Sequence, residues 1–162
     1  MKRPRLLLAE DDEALASLLE EYLLEANYDV TVHRRGDTAL EALGQDRFDL
    51  VLTDIVMPGA DGLTLLRHVV HDELSDTLVI LMTGYSGIEN ALHAVEQGAY
   101  DFVSKPFQLP EIRVRLDNAS RYQQLLRSWN ELTGGGSTAA EAAYPSGHAV
   151  AKAYGRSSTG NY

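Results

Sequence analysis

Short apolar runs alternate with segments of helical periodicity along this chain, and that alternation leaves few folds open. Leu6-Leu7-Leu8-Ala9 reads as a buried strand. Leu15, Leu18, Leu19, Tyr22 and Leu23 then recur at i, i+3, i+4, i+7 and i+8, one face of a helix. Residues 28–32, 48–53, 77–82 and 99–104 read as four further strands. Between them, Asp37 is expected to cap a helix that runs through Leu43 and stops at Gly44. Asp61 is expected to cap a helix to about His71, and residues 88–97 form one ending at Gly98. From Pro110 the pattern is helical to about Leu132. The strands are continuously apolar rather than alternating, as burial on both faces requires. The expected architecture is α/β: a doubly wound, five-stranded parallel sheet of the flavodoxin-like kind.

Composition narrows the function. The chain has no cysteine, which excludes disulfides, thiolate metal sites and a cysteine nucleophile. With 24 Asp+Glu against 14 Lys+Arg, the net charge of -10 argues against direct nucleic-acid binding. The longest apolar run is the five residues 78–82, whereas a membrane span needs ~20, so no membrane association is expected. The basic Lys2-Arg3 is followed by apolar residues only as far as Ala9, where Glu10-Asp11-Asp12-Glu13 begins, which is no leader peptide. The expected location is cytoplasmic. The body of the domain is expected over residues 1–120, with 121–133 extending the last helix. Residues 134–162 are rich in Gly, Ala and Ser, hold one acid and two bases, and are expected to be a flexible tail.

Polar residues fall where the runs end. The first strand ends in Glu10-Asp11-Asp12, the third in Asp54, the fourth in Thr83 and the fifth in Lys105. Open parallel sheets bind ligands beyond the carboxyl ends of their strands, so these groups converge on one edge. Glu10, Asp11 and Asp54 would repel one another unless a hard cation lay among them, and Mg2+ suits oxygen ligands of this kind. Asp54 stands alone at its strand end as a carboxylate nucleophile. Thr83 and Lys105 supply donors for the oxygens of an incoming phosphoryl group. Singly, each is more often a helix cap or an ordinary strand end; together and in this order they specify phosphoryl transfer to aspartate.

The segments LLLAEDDEAL, DLVLTDIVMPGADG, VILMTGYS and GAYDFVSKPF resemble the receiver domain of two-component response regulators, over about residues 3–120. The resemblance implies that Asp54 is the phosphoacceptor. It implies that Glu10, Asp11 and Asp54 hold Mg2+ together with the backbone carbonyl of Val56. Asp12, one place past the acidic pair, is read as the cap of the first helix. Thr83 and Lys105 take the switch-hydroxyl and phosphoryl-pairing roles, and Phe102 that of the switch aromatic, beside its plainer reading as a core strand residue. A cis bond at Lys105-Pro106 is implied as well. So is a partner: a phosphohistidine on a sensor histidine kinase or phosphotransfer protein. Val56 and Tyr85 flank the site at positions that tune loss of the phosphoryl group, and apolar Val56 offers nothing to orient a water.

Two enzyme-like alternatives fit less well. A haloacid-dehalogenase-type phosphatase needs a second Asp two residues after the nucleophile, where this chain has Val56. A flavodoxin needs a Gly/Ser/Thr-rich first loop, where this chain has four acids. The chain therefore reads as a switch that supports its own phosphorylation and dephosphorylation, not as an enzyme acting on outside substrates. His33, His68, His71 and His93 form no ligand set, and Pro145-Ser146-Gly147-His148 lacks the partner motifs of an acid phosphatase. The output is less defined: a receiver alone, or the receiver part of a longer transcription regulator. Tyr122, Leu125, Leu126, Trp129 and Leu132 form a stripe with two open readings: a helix face packed on its own domain, or one outside the domain's core that serves a homodimer through residues 116–132.

Overall fold

The computed structural model describes residues 2–84 and 87–133. Tyr85 and the 134–162 segment, both singled out above, lie outside the described residues. Five strands alternate with five helices: β1 (Arg5–Ala9), α1 (Glu13–Glu25), β2 (Asp29–His33), α2 (Gly36–Gln45), β3 (Leu50–Asp54), α3 (Gly62–His71), β4 (Leu78–Thr83), α4 (Ile88–Glu96), β5 (Asp101–Ser104) and α5 (Leu109–Leu132). The sheet is parallel throughout, in the order β2-β1-β3-β4-β5. β1 pairs with β2 on one side and β3 on the other, so the chain reverses its winding direction there. This is the doubly wound fold expected from the alternation.

Alternate residues of each strand feed two cores. Leu6, Leu8, Leu50, Leu52, Ile80, Met82 and Val103 face α1 and α5, where they meet Leu19, Leu23, Ile112 and Leu116. Leu7, Ala9, Val51, Val79 and Leu81 face α2, α3 and α4, where they meet Ala39, Leu65, Leu66, Ala91 and Ala94. The central strands β3 and β4 are buried along their whole length, which is why they read as unbroken apolar runs.

Several local expectations shift. Asp37 does not cap α2: Arg35 occupies the cap position and Asp37 lies in the first turn, accepting from the Thr38 amide. Gly44 does not stop that helix, which continues to Gln45. The stop comes from Asp46, whose extended backbone breaks the helical course while its N–H still donates to the Ala42 carbonyl. Asp12 and Asp61 cap α1 and α3 as expected, accepting from the Leu15 and Thr64 amides. Gly98, with φ of 125°, follows α4 in a conformation that glycine adopts without strain.

α5 is one continuous helix, and its apolar stripe is not wholly outside the core. Tyr122 packs against the inner cluster, with its ring 5.7 Å from that of Tyr100. Leu126 is half-buried, while Leu125, Trp129 and Leu132 are exposed. At 100° per residue Leu125 and Leu132 fall opposite the buried Ile112, Leu116 and Ala119, with Trp129 on the flank between the two faces.

Candidate functional site

Backbone bonds carried one residue past the strands gather the polar side chains. The Glu10 amide donates to the His33 carbonyl, the Ile55 amide to Met82, and the Lys105 amide to Thr83. These bonds tie the end of β1 to β2 and those of β3 and β5 to β4, while β1 pairs directly with β3 through Ala9 and Thr53. Glu10, Asp54, Thr83 and Lys105 are held at neighbouring strand ends on a common edge, the arrangement expected from the sequence.

Lys105 is the hub. Its Nζ lies 2.7 Å from Glu10 Oε1 and 2.7 Å from Asp54 Oδ2. The Lys105-Pro106 bond is cis. Glu10 is fully buried, and its second oxygen accepts from the Asp12 amide at 3.1 Å. Loss of water from its carboxylate pushes the Glu10 pKa up to about 7, against the opposing pull of the Lys105 ammonium. Burial alone would lower the Lys105 pKa, but its bonds to Asp54 and Glu10 win and raise it. Asp54 is 9% exposed, and its other oxygen faces the Val56 amide at 3.4 Å.

Carboxylate oxygens of Glu10, Asp11 and Asp54 come within 4.8 Å of one another. Asp11 is exposed, Asp54 is at the edge of burial, and Glu10 is sealed beneath. A set of three carboxylates with one open side suits Mg2+, which keeps several of its waters. The donor set therefore fits the ion. The Val56 side chain points out, at 78% exposure.

Thr83 is buried, with its hydroxyl donating to the Gly84 carbonyl at 3.1 Å rather than reaching Asp54. Phe102 lies on β5 beside Leu81, half-buried and packed into the cluster shared with α4. It packs on the layer where α4 lies.

Two glycines escaped the sequence analysis. A methyl at Gly62 would lie 2.3 Å from the Asp54 carbonyl oxygen, so only glycine lets α3 start against the end of β3. A methyl at Gly87 would lie 2.1 Å from Thr83 Oγ1. Nothing local marks either position, because the approaching group belongs to a different element.

Residues 6–117 match the family model for the response regulator receiver domain. The chain is 40% identical over 124 residues to the transcriptional activator protein PfeR of Pseudomonas aeruginosa, covering 76% of this chain and 40% of that protein. It is 37% identical over 127 residues to the DNA-binding transcriptional regulator NtrC of Escherichia coli, covering 76% of this chain and 26% of that one. The chain thus spans less than half the length of these two relatives. Among solved structures, the receiver domain of the Francisella response regulator 1452 superposes with a TM-score of 0.68 at 28% identity, over 74% of this chain and 98% of that one. NtrX from Brucella abortus superposes with a TM-score of 0.71 at 29% identity, over 80% of this chain and 29% of that one.

Proposed function

The chain belongs to the response regulator receiver domain family of two-component signalling, and on that premise we propose that it is a switch phosphorylated on Asp54. The observation that carries this reading is the hub: one ammonium held 2.7 Å from both Asp54 and Glu10 at the joined ends of three strands. A carboxylate so placed is oriented by an existing ion pair and faces solvent on one side only.

In the proposed step an oxygen of Asp54 attacks the phosphorus of a phosphohistidine on a sensor kinase or phosphotransfer protein. The P–N bond breaks and the imidazole nitrogen keeps the electron pair. Lys105 then pairs with an oxygen of the transferred group, and Thr83 turns its hydroxyl from Gly84 toward another. Glu10, Asp11, Asp54 and the Val56 carbonyl would hold Mg2+, which would supply charge neutralisation for the phosphoryl oxygens. Rotation of Thr83 opens room beside Leu81 for Phe102, altering the surface made by α4, β5 and α5. A ligand shifts such an equilibrium only through its difference in affinity for the two states, so a minority of the active form precedes phosphorylation. The site supports its own phosphorylation and dephosphorylation without turning over outside substrates.

The switch operates in the cytoplasm; no described helix is long and apolar enough to cross a membrane. Its output is a protein surface, as expected for the receiver part of a longer regulator such as its DNA-binding relatives. Exposed Leu125, Trp129 and Leu132 support a homodimer through residues 116–132. In sedimentation, the full chain should associate more strongly with beryllofluoride, and Leu125→Lys with Trp129→Glu should leave a monomer.

The deciding experiment is labelling by acetyl phosphate with magnesium. The parent should take up one acid-labile phosphoryl group and Asp54→Asn none. Robust labelling of Asp54→Asn rejects Asp54 as the acceptor.

A further inference from the structure

The end of the sheet opposite the phosphorylation edge carries a second organised cluster, and it involves α5 past the residues of the core. Gln123 is 2% exposed although it is polar. Its Nε2 donates to the backbone carbonyls of Asp49 and Asp76, both at 2.8 Å. One turn on, Arg127 donates from Nε to Asp76 Oδ2 at 2.7 Å and from Nη2 to Asp49 Oδ1 at 2.9 Å. Asp49 immediately precedes β3, and Asp76 lies just before β4.

The two acids are themselves held. Asp49 Oδ2 accepts from the Arg5 amide at 2.7 Å, at the start of β1. Arg47 stands 3.6 Å from Asp76 Oδ1. The cluster therefore joins α5 to the amino ends of three adjacent strands.

From these contacts we infer that Gln123 and Arg127 form a clamp that fixes the direction in which the chain leaves the receiver, making residues 121–132 a rigid strut rather than a hinged linker. Geometry supports this in two ways. First, α5 rises ~1.5 Å per residue, so its 24 residues span ~36 Å, about twice the ~17 Å of a five-residue strand. Without attachment, the last three turns would overhang the sheet. Second, anchors at i and i+4 lie on one face, a turn apart. One anchor leaves a helix free to pivot; two remove both tilt and rotation. Glutamine spends both its amide hydrogens on two strands, and the planar guanidinium fork reaches both acids at once.

A clamp of this kind also preserves helix. Past Ser120, only Tyr122, Gln123, Leu126, Arg127 and Asn130 are even partly buried among the described residues. An unanchored segment that short is marginal as a helix in water. Because the clamp holds the domain side, the exposed Leu125, Trp129 and Leu132 keep a fixed bearing relative to Asp54. The inference does not depend on phosphorylation.

Spin-label distances in the full chain test it, and the lack of cysteine means that only introduced cysteines carry labels. Labels at Glu41→Cys on α2 and Glu131→Cys report the strut. Labels at Glu41→Cys and Glu111→Cys report the near end of the same helix. In the parent both pairs should give single distributions of similar width. Arg127→Leu should broaden the 41–131 distribution at least twofold and leave 41–111 unchanged, with Arg127→Lys in between. If Gln123→Leu fails to fold, Asp76→Asn at the cluster's rim supplies the second variant. The inference is overturned if the parent's 41–131 distribution is already twice as broad as 41–111, or if Arg127→Leu leaves its width unchanged.

Discussion

Thr83 rests its hydroxyl against the backbone of Gly87, where a single added methyl would approach Oγ1 to 2.1 Å. The hydroxyl proposed to move on phosphorylation is therefore confined on the side where α4 begins. Threonine is stiff at χ1, so it cannot make room by bending its far end.

Gly87→Ala should destabilise the protein by about 1–3 kcal/mol, the usual cost of overpacking. Removing the obstructing atoms by adding Thr83→Ala should restore most of that loss, a coupling that a double-mutant cycle in urea measures. Strictly additive losses would mean that the contact is not what constrains Gly87.

Two other glycines should respond in opposite ways. At Gly62 the obstacle is the Asp54 carbonyl, a backbone atom that no rotamer change can move. Gly62→Ala should cost more than about 2 kcal/mol and weaken phosphorylation by displacing Asp54. Gly44 lies inside α2 with nothing within 4 Å of an added methyl. Gly44→Ala should stabilise by about 0.5–1 kcal/mol through helix propensity. Urea midpoints of both variants check the pair of signs.

Lys105→Met removes the cation shared by Glu10 and Asp54, leaving two carboxylates with little water. Breaking a pair of this burial costs about 3 kcal/mol. The loss should shrink at acid pH, where Glu10 takes a proton, and magnesium should raise the melting temperature of this variant more than that of the parent. Equal shifts with magnesium would separate Lys105 from the cation site.

Glu10 should make the proposed magnesium binding pH-dependent. Its folded pKa of about 7 stands above the ordinary 4.5, so the folded protein holds a proton there that the unfolded chain has released. A raised value contributes stability below pH 4.5, and that contribution fades as pH rises through 7. Magnesium must displace that proton, so its affinity should rise roughly tenfold per pH unit up to about 7 and then level off. Calorimetric titrations between pH 5.5 and 8.5 should show the plateau, and Glu10→Gln should bind weakly with a flattened profile. A parent affinity independent of pH would contradict the protonated resting state.

The strands were legible because β3 and β4 are buried on both faces, which forces unbroken apolar runs. Their starts were less so: Tyr28 and Phe48 are buried but precede β2 and β3, since burial does not require pairing. The hub was legible because strand ends share an edge, so Glu10, Asp54, Thr83 and Lys105 converge by topology alone. The helix-side constraints were not. Gly62 and Gly87 answer to atoms on other elements, and the hydroxyl of Thr83 turns toward Gly84 rather than Asp54. Gln123 left only a faint trace, a polar residue four past Ala119 on an otherwise apolar face.

The packing of α5 also bears on how the protein is made. That helix is the last described element to be synthesised, yet it packs on β3, β4 and β5 and shares one layer with α1 alone. A nascent chain that has emerged only through Ser104 leaves Ile80, Met82 and Val103 without their cover. It also leaves the amino ends of β3 and β4 without the arginine that links them. Such an intermediate exposes a broad apolar face to every other chain in its surroundings, the condition in which aggregation competes with folding. A product that ends before α5 should therefore aggregate more readily than the full chain.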